Sequence, residues 1–168
     1  MRQNGGKWKE WTGWASVEGQ WLRRKHFTPE VLADIADRIK KSELDHTGEL
    51  MVAIEAVSPA HEPNSRQRAL EVFGRLRVWD TPLNTGVLLY LSLDRHRLEI
   101  IADRAVAVPN ELWEQVCAQL QARLQRKDYA GGILAAIDDI EALLRTRCPP
   151  LPQDQANTND LPDEPVFL

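Results

Sequence analysis

Two apolar runs near the middle of the chain constrain its fold more than any other feature. They cover residues 86–93 and 98–102 and are separated by a short polar turn that begins at Asp94. Bounded apolar runs joined by so short a turn are typical of an antiparallel β-hairpin. Because a hairpin brings its two outer ends together, polar residues before the first strand and after the second should meet at one edge of a sheet.

A third apolar run, residues 50–57, precedes the hairpin and has the length of a buried strand. Between it and the hairpin, Ala69, Val72, Phe73 and Leu76 recur at helical spacing. A strand, a helix and a second strand in this order form a βαβ unit with parallel strands and a right-handed crossover. The sheet is therefore predicted to be mixed.

Helical patterns flank this sheet on both sides. Thr28-Pro29-Glu30 is a strong helix start, because a capping hydroxyl precedes a proline at the first helical position. Further helices are predicted after Asn110 and after the glycine-containing turn at residues 128–132. The predicted fold class is α/β: a three-layer α/β/α sandwich with a small mixed sheet, a βαβ unit plus a β-hairpin, flanked by helices.

Several charged residues on these helices are predicted to lie on the surface. Their positions next to the apolar stripes favour a solvent-facing or edge location over burial. They are Arg66, Arg68, Glu71 and Arg75 on the crossover helix, and Asp138, Asp139 and Glu141 on the last helix.

The two ends of the chain differ in composition from the α/β domain, residues 27–149. Residues 1–26 form an arm with four tryptophans among lysines and arginines, and residues 150–168 form a Pro-rich acidic tail whose apolar end suggests that part of it docks. The arm either binds an anionic membrane surface through tryptophan and basic residues, or folds back so that its indoles cover apolar surface. Its glycines argue against a stable helix and favour the second alternative.

Charge and composition exclude several classes of protein. The formal net charge is -4, which gives no overall basic surface for nucleic acid. No apolar run approaches the ~20 residues of a membrane-spanning helix, and the start of the chain lacks the apolar core of a secretory signal. Cys117 and Cys148 have no metal-ligand spacing, so the prediction is a reduced, cytoplasmic setting.

Oxygen-bearing side chains gather at the ends of the predicted strands. Glu49 precedes the first strand, Asn84 precedes the second, and Asp103 follows the third, while Asp80 lies in the loop that enters the second. The strand directions place all of them at one end of the sheet. Carboxylate and amide oxygens are the ligands of Ca²⁺ and Mg²⁺, so this edge is a candidate metal site. Alternatively, they are loop and cap residues that bond nearby backbone amides.

Other residues supply competing sites. Asp94 and the loop at residues 58–64 lie at the opposite end of the sheet, where open α/β sheets usually bind ligands. Arg68 and Arg104 are candidate anion ligands, and His46 could join Glu49 in a site for a softer metal. Cys117 lies beside a helical apolar stripe, which indicates a buried thiol rather than a phosphatase nucleophile.

Several short motifs follow one another along the chain in a distinctive order. They are His46-Thr-Gly-Glu49, Arg68-Ala69-x-x-x-Phe73, Val78-Trp-Asp-Thr81, Asn84-Thr-Gly86-Val-Leu, Asp94, Glu99-Ile-Ile-Ala-Asp103-Arg104 and Asp160-Leu-Pro-Asp-Glu164. Together they resemble the TPM domain, named after thylakoid-lumen, photosystem II repair and nematode receptor-regulator proteins. The resemblance is closest to small bacterial members that lack a membrane anchor.

The resemblance implies the same α/β/α fold. Plant relatives are associated with acid phosphatase activity and with binding of divalent cations, chiefly calcium, and bacterial relatives include metal-binding proteins with no assigned reaction. Carried onto this chain, the resemblance implies metal ligands among Asp80, Asp94 and Asp103, with Asn84 and Glu49 beside them.

Three functions follow as hypotheses. The favoured one is a module that binds calcium or magnesium and has a regulatory or scaffolding role, with an unknown protein partner in a membrane-associated assembly. The second is a weak metal-assisted phosphomonoesterase. The third is a membrane-surface or protein adaptor that acts through the N-terminal arm.

Overall fold

The computed structural model describes residues 13–148 and 159–168 of the chain. The five helices within these residues are α1 (Trp14–His26), α2 (Pro29–Ser42), α3 (Ser65–Arg75), α4 (Asn110–Gln125) and α5 (Tyr129–Arg147). A short 3-10 turn, Glu43–Asp45, follows α2. The strands are β1 (Glu49–Glu55), β2 (Gly86–Ser92), β3 (Arg97–Ala102) and β4 (Val166–Phe167).

The sheet has the strand order β3-β2-β1-β4. Strand β1 pairs in parallel with β2 and with β4, and β2 pairs with β3 in the antiparallel sense. The predicted βαβ unit and hairpin are therefore confirmed. Strand β4 adds a short fourth strand from the tail, in agreement with the expectation that part of the tail docks.

Helices cover both faces of the sheet. As a result, β1 and β2 are buried along their whole length. Leu50, Val52 and Ile54 belong to the core shared with α2, α4 and α5. Met51 and Ala53, which point to the opposite face, belong to a smaller core shared with α3 and the tail. The arrangement is the predicted three-layer α/β/α sandwich.

Local sequence explains where the helices begin. Thr28 Oγ1 accepts a hydrogen bond from the Val31 amide at 3.5 Å, with Pro29 at the first helical position. Helix α5 begins at Tyr129, so the turn predicted at residues 128–132 is instead the first turn of a helix. A Cβ atom on Gly132 would lie 3.1 Å from Arg123 Cβ, so this glycine allows α4 and α5 to approach closely.

Helix α1 contradicts the prediction that the glycines prevent a stable helix in the arm. Gly13 caps the helix with φ 73°, a left-handed conformation that suits glycine. A Cβ atom on Gly19 would lie 1.8 Å from the Ala56 carbonyl oxygen, so this glycine lets α1 contact the backbone after β1. Gly13 therefore caps the helix and Gly19 allows it to pack closely, so neither glycine breaks it.

The tryptophans of α1 do not cover apolar surface. Trp14 and Trp21 remain 70% and 51% exposed, so the prediction that the indoles fold back is wrong for these two. Trp8 and Trp11 lie outside the described residues. None of the helices described is both long and apolar enough to cross a membrane.

Candidate functional site

The predicted strand directions bring the expected ends to one edge of the sheet. Glu49 pairs with Gly86, and the Asp103 amide donates to the Gly86 carbonyl oxygen at 2.9 Å. Glu49 and Asp103 therefore lie in one row across the sheet, two strands apart. That separation is about 10 Å between their backbones, because neighbouring strands are ~4.8 Å apart.

Asn84, Asp103 and Arg104 form a group that we call the amino-end rim, since they lie where β2 begins and β3 ends. Arg104 Nη2 donates to Asn84 Oδ1 at 3.0 Å. The Ala105 amide donates to the Asn84 carbonyl oxygen at 3.1 Å, which ties the two loops together. The structure thus brings Asn84 and Asp103 together with one of the predicted anion-binding arginines.

The loop that carries Asn84 is firmly held. Asn84 has φ 55°, a left-handed conformation that asparagine tolerates better than most residues. Its amide donates to the Thr81 carbonyl oxygen at 3.1 Å, and the Thr85 amide donates to Thr81 Oγ1 at 3.0 Å. Thr85 Oγ1 donates to the Thr47 carbonyl oxygen at 2.6 Å. The loop that carries Asn84 is therefore tied by hydrogen bonds to the segment that precedes β1.

The two oxygens of the Asp103 carboxylate have different surroundings. Oδ1 accepts the Arg104 amide at 2.7 Å. Oδ2 is buried and finds no hydrogen-bond donor among the residues that the structure describes. A buried carboxylate oxygen without a donor costs about 1–3 kcal/mol or more. Such an oxygen is suited to a ligand that brings a positive charge.

The side chains of Glu49 and Asp80 have partners outside the rim. Glu49 Oε2 accepts the amides of Asp160 and Leu161 at 3.2 and 3.1 Å, so it holds the C-terminal segment. Burial raises the pKa of Glu49 to about 7. Asp80 pairs with Arg77 at 2.5 Å on the surface. Across residues 13–148 and 159–168, no three Asp, Glu, His or Cys side chains converge as a metal site.

Asp94 lies at the opposite, carboxyl end of the sheet, where its hydrogen bonds are satisfied by two serines. Its Oδ2 accepts the Ser58 amide at 2.8 Å, and its Oδ1 accepts the hydroxyls of Ser58 and Ser92 at 2.7 and 3.0 Å. Asp94 therefore fixes the loop after β1 to the turn after β2. It cannot share a cation with Asp103, because β2 separates them by about 20 Å.

Arg68 lies in a buried ion-pair network beside this carboxyl end. Its Nε and Nη2 donate to the two oxygens of Glu55 at 3.1 and 2.6 Å, and its Nη1 donates to Glu71 at 2.9 Å. The Tyr90 hydroxyl also donates to Glu55. The prediction that Arg68 lies on the surface is wrong, since it is 7% exposed. Its charge is matched by Glu55 rather than left for an anion.

A buried acidic cluster was missed by the sequence analysis, which placed Glu141 on a solvent-facing surface. Glu141 is 1% exposed, and its Oε2 lies 2.6 Å from His46 Nε2. Because His46 Nδ1 accepts the Gly48 amide at 3.1 Å, the imidazole proton is on Nε2. His46 is thus committed to Glu141. The available signal was spacing: Glu141 lies four residues after Ile137 and three before Leu144, both core residues.

Burial raises the pKa of two carboxyl groups, Glu43 and Glu141, and of the Cys117 thiol on α4. It raises the pKa of Glu43 to about 9, although the Leu50 amide donates to Glu43 Oε1 at 2.8 Å. Burial also raises the pKa of Glu141, against the opposing effect of its hydrogen bond with His46. Cys117 was predicted to be buried and is half-buried, and this burial raises the pKa of its thiol to about 11.

The sequence matches the TPM domain family over residues 23–143, which is more than half of the chain. The chain belongs to the TPM domain family. Among solved structures, it is similar to the BA42 protein of the psychrophilic bacterium Bizionia argentinensis, with a TM-score of 0.73 and 24% identity. The likeness covers 83% of this chain and 94% of that one, and it supports the fold. No curated protein matches the sequence.

Proposed function

We propose that this TPM domain binds a divalent cation, Ca²⁺ or Mg²⁺, at the amino-end rim. The observation that carries the proposal is the buried Asp103 Oδ2, which has no donor within the described part of the chain. A hard cation supplies the positive partner that this oxygen lacks, and hard cations prefer oxygen ligands. The donor set at the rim therefore fits the proposed ion.

Two protein side chains would hold the cation. Asp103 contributes its Oδ2, and Asn84 contributes its amide oxygen once Arg104 has released it. Water molecules complete the coordination, as is common for Mg²⁺. A single carboxylate gives a weak site, and we expect a dissociation constant of about 1 mM because affinity rises with ligand charge. Asp80 is a third ligand only if it leaves Arg77.

The proposed role of the cation is regulatory or scaffolding. It would connect the loop before β2 with the loop after β3, two segments that are now joined by Arg104 and by the hydrogen bond between Ala105 and Asn84. Exchange of an arginine for a metal ion changes the charge and shape of this edge. A protein partner that recognises the edge would then bind in a cation-dependent way.

A second candidate is a weak phosphomonoesterase at the same rim, and the position of Arg104 favours it. A cation next to a guanidinium is an arrangement that can hold and polarise a phosphate. Hydrolysis of a generic phosphomonoester should then require both the cation and Asp103. Activity that persists in Asp103→Asn would contradict this candidate without affecting the binding proposal.

The binding proposal is tested by titrating Ca²⁺ and Mg²⁺ while following backbone amide shifts by NMR. We expect localised, saturable shifts at residues 84–86 and 103–106, and their loss in Asp103→Asn. Asp138→Asn is the matched control, because Asp138 pairs with Arg38 on the surface away from the rim. Asp80→Asn reports whether Asp80 joins the site.

Three outcomes would reject the rim as the site. The first is an absence of localised shifts in the unmodified protein. The second is retention of the shifts in Asp103→Asn. The third is a set of shifts centred on Ser58 and Asp94, which would assign the ion to the opposite end of the sheet.

A further inference from the structure

Helix α1 has an apolar face on the domain. Its buried residues are Ala15, Gly19 and Leu22, which recur at helical spacing. Gly19 lies against the Ala56 carbonyl oxygen so closely that no Cβ atom would fit. The helix is therefore already folded and held in place, and a partner that binds its outer face need not order it first.

A second apolar face of α1 points away from the domain. Trp14, Val17 and Trp21 are 70%, 65% and 51% exposed, and their spacing of three and four residues puts them on one stripe. Large apolar side chains grouped in this way on a protein surface mark an interaction site. The stripe is independent of the amino-end rim, because α1 contacts residues after the carboxyl end of β1.

Basic residues flank this stripe. At 100° per residue, Arg24 and Lys25 fall on either side of Trp21. Lys25 Nζ lies 4.4 Å from the centroid of the Trp21 ring. Arg23 is directed elsewhere, since its guanidinium lies over the Phe167 ring at 4.1 Å. The exposed face thus combines indole rings with two cations at its borders.

The charge of the chain is distributed unevenly. Residues 1–26 carry six lysines and arginines against two glutamates, and the rest of the sequence has 15 basic and 23 acidic residues. The arm therefore has a formal charge of +4 and the remainder -8. Within α1 itself, three basic residues, Arg23, Arg24 and Lys25, stand against one acid, Glu18. A partner with negative charge is therefore attracted to α1 and repelled by the acidic remainder of the chain, which orients the encounter.

We propose that α1 docks the protein on an anionic lipid bilayer, with its axis in the plane of the surface. Trp14 and Trp21 would insert among the headgroups, where indoles are favoured. Arg24 and Lys25 would extend to lipid phosphates and carboxylates, each contributing about fivefold in affinity. A second copy of the chain is a poorer occupant, because a two-fold contact through this face brings like charges together.

The test is co-sedimentation of the full chain with lipid vesicles. We expect binding to vesicles in which about one lipid in three is phosphatidylserine, and little binding to pure phosphatidylcholine, since the attraction depends on anionic lipid. Trp14→Ser/Trp21→Ser should reduce binding by about tenfold or more, and Arg24→Glu/Lys25→Glu should do the same. High salt should weaken the binding of the unmodified protein.

Matched controls come from the other end of the sheet. Trp79 and Leu83 are 48% and 46% exposed, so Trp79→Ser/Leu83→Ser removes a similar apolar pair. Arg75→Glu/Arg147→Glu makes the same charge change on exposed residues of α3 and α5. Both controls should bind vesicles like the unmodified chain. Circular dichroism and the thermal midpoint of each variant verify that the fold is retained.

The proposal is overturned by any of three results. The first is an unmodified protein that shows no preference for anionic vesicles. The second is an α1 tryptophan variant that binds as well as its control. The third is a dimer in sedimentation equilibrium that the α1 tryptophan variant abolishes, which would assign the face to a second copy.

Discussion

The two ends of the sheet carry similar polar residues but use them differently. At the carboxyl end, Glu55 receives three hydrogen bonds from Arg68 and Tyr90, and Asp94 receives three from Ser58 and Ser92. At the amino-end rim, one oxygen of Asp103 is buried with no donor in the described part of the chain. Polar groups whose hydrogen bonds are all made within the protein stabilise the fold, whereas a polar group without a partner is available to a ligand.

This contrast runs against the usual position of ligands in open α/β sheets, which is the carboxyl end of the strands. Here the carboxyl end is filled by the chain itself. Arg68 comes from α3 and neutralises Glu55, and Arg95 donates to the Pro59 and Glu62 carbonyl oxygens of the loop beside it. The topological rule indicates where a crevice can form, and the side chains decide whether it stays open.

The largest expected effect tests the structural role of the carboxyl end. Arg68→Leu leaves the buried carboxylate of Glu55 without its cation, and removal of one partner of a buried ion pair costs about 3–5 kcal/mol. The free energy of unfolding in urea should fall by that amount. Asp103→Asn should change it by less than about 1 kcal/mol, because that group makes fewer protein contacts.

Arg66→Leu is the matched control for this comparison. Arg66 lies two residues away on α3, is more than half exposed, and donates to the Ile100 carbonyl oxygen. Its loss should cost much less than that of Arg68. Equal losses from Arg68→Leu and Asp103→Asn would show that the two ends do not differ in the way proposed.

The next prediction concerns the pH dependence of stability, in a buried group at the same end as the rim. The pKa of Glu43 is about 9 in the folded protein and 4.5 ordinarily, so the folded state binds more protons between these values. The contribution of Glu43 to the free energy of unfolding should therefore be fully present below pH 4.5, and it should be lost as the pH rises through 9. The loss is at most about 1.4 kcal/mol per pH unit for one group.

Glu43→Gln mimics the protonated carboxyl and should remove this loss. The difference from the unmodified protein is clearest above about pH 8, because Glu49, whose pKa is about 7, has largely completed its own titration only there. Urea unfolding across this range gives the measurement, and Glu111→Gln, an exposed change on α4, is the control. Parallel pH profiles of the unmodified protein and Glu43→Gln would contradict the prediction.

The smallest expected effect concerns the role of Arg104 at the amino-end rim. Arg104 occupies Asn84 Oδ1 and places a positive charge where the cation is proposed to bind. Arg104→Ala removes this competitor, and an exposed charge contributes up to about 1 kcal/mol, so cation affinity should rise by up to about fivefold. Calorimetric titration measures the change.

Arg77→Ala is the control for this prediction, because Arg77 pairs with Asp80 rather than with Asn84. It should leave the affinity unchanged. A gain in Arg77→Ala as large as that in Arg104→Ala would identify Asp80 as a ligand. Weaker binding by Arg104→Ala would mean that Arg104 supports the site instead of competing for it.

The sequence allowed the sheet to be predicted well because its signals are local. The apolar runs and the short turn determine the hairpin, and the helix between two such runs determines the parallel pair. The helix cap at Thr28 could be predicted equally well. The start of α5 and the presence of α1 were not, since Gly132 and Gly19 were interpreted as breakers when they mark close contacts with Arg123 and Ala56.

The site was harder to predict because it depends on where side chains turn after the backbone is placed. The row that contains Glu49 and Asp103 follows from strand order. Strand order does not predict that the C-terminal amides bind Glu49 or that Arg77 pairs with Asp80. Glu141 and His46, which are in contact, lie 95 positions apart in the sequence. The spacing of residues on the last helix could show that Glu141 falls on the apolar face, but it could not identify His46 as the partner.

The pairing of β4 with β1 has a consequence for synthesis of the chain. Glu49 and Asp160, which are joined by a hydrogen bond, lie 111 positions apart. A ribosome needs on the order of 10 s to add that many residues, and during this time the outer edge of β1 has no partner. An apolar edge of this kind can pair with another nascent molecule. Slow translation of the second half of the chain should therefore favour aggregation, and a chaperone that covers β1 should prevent it.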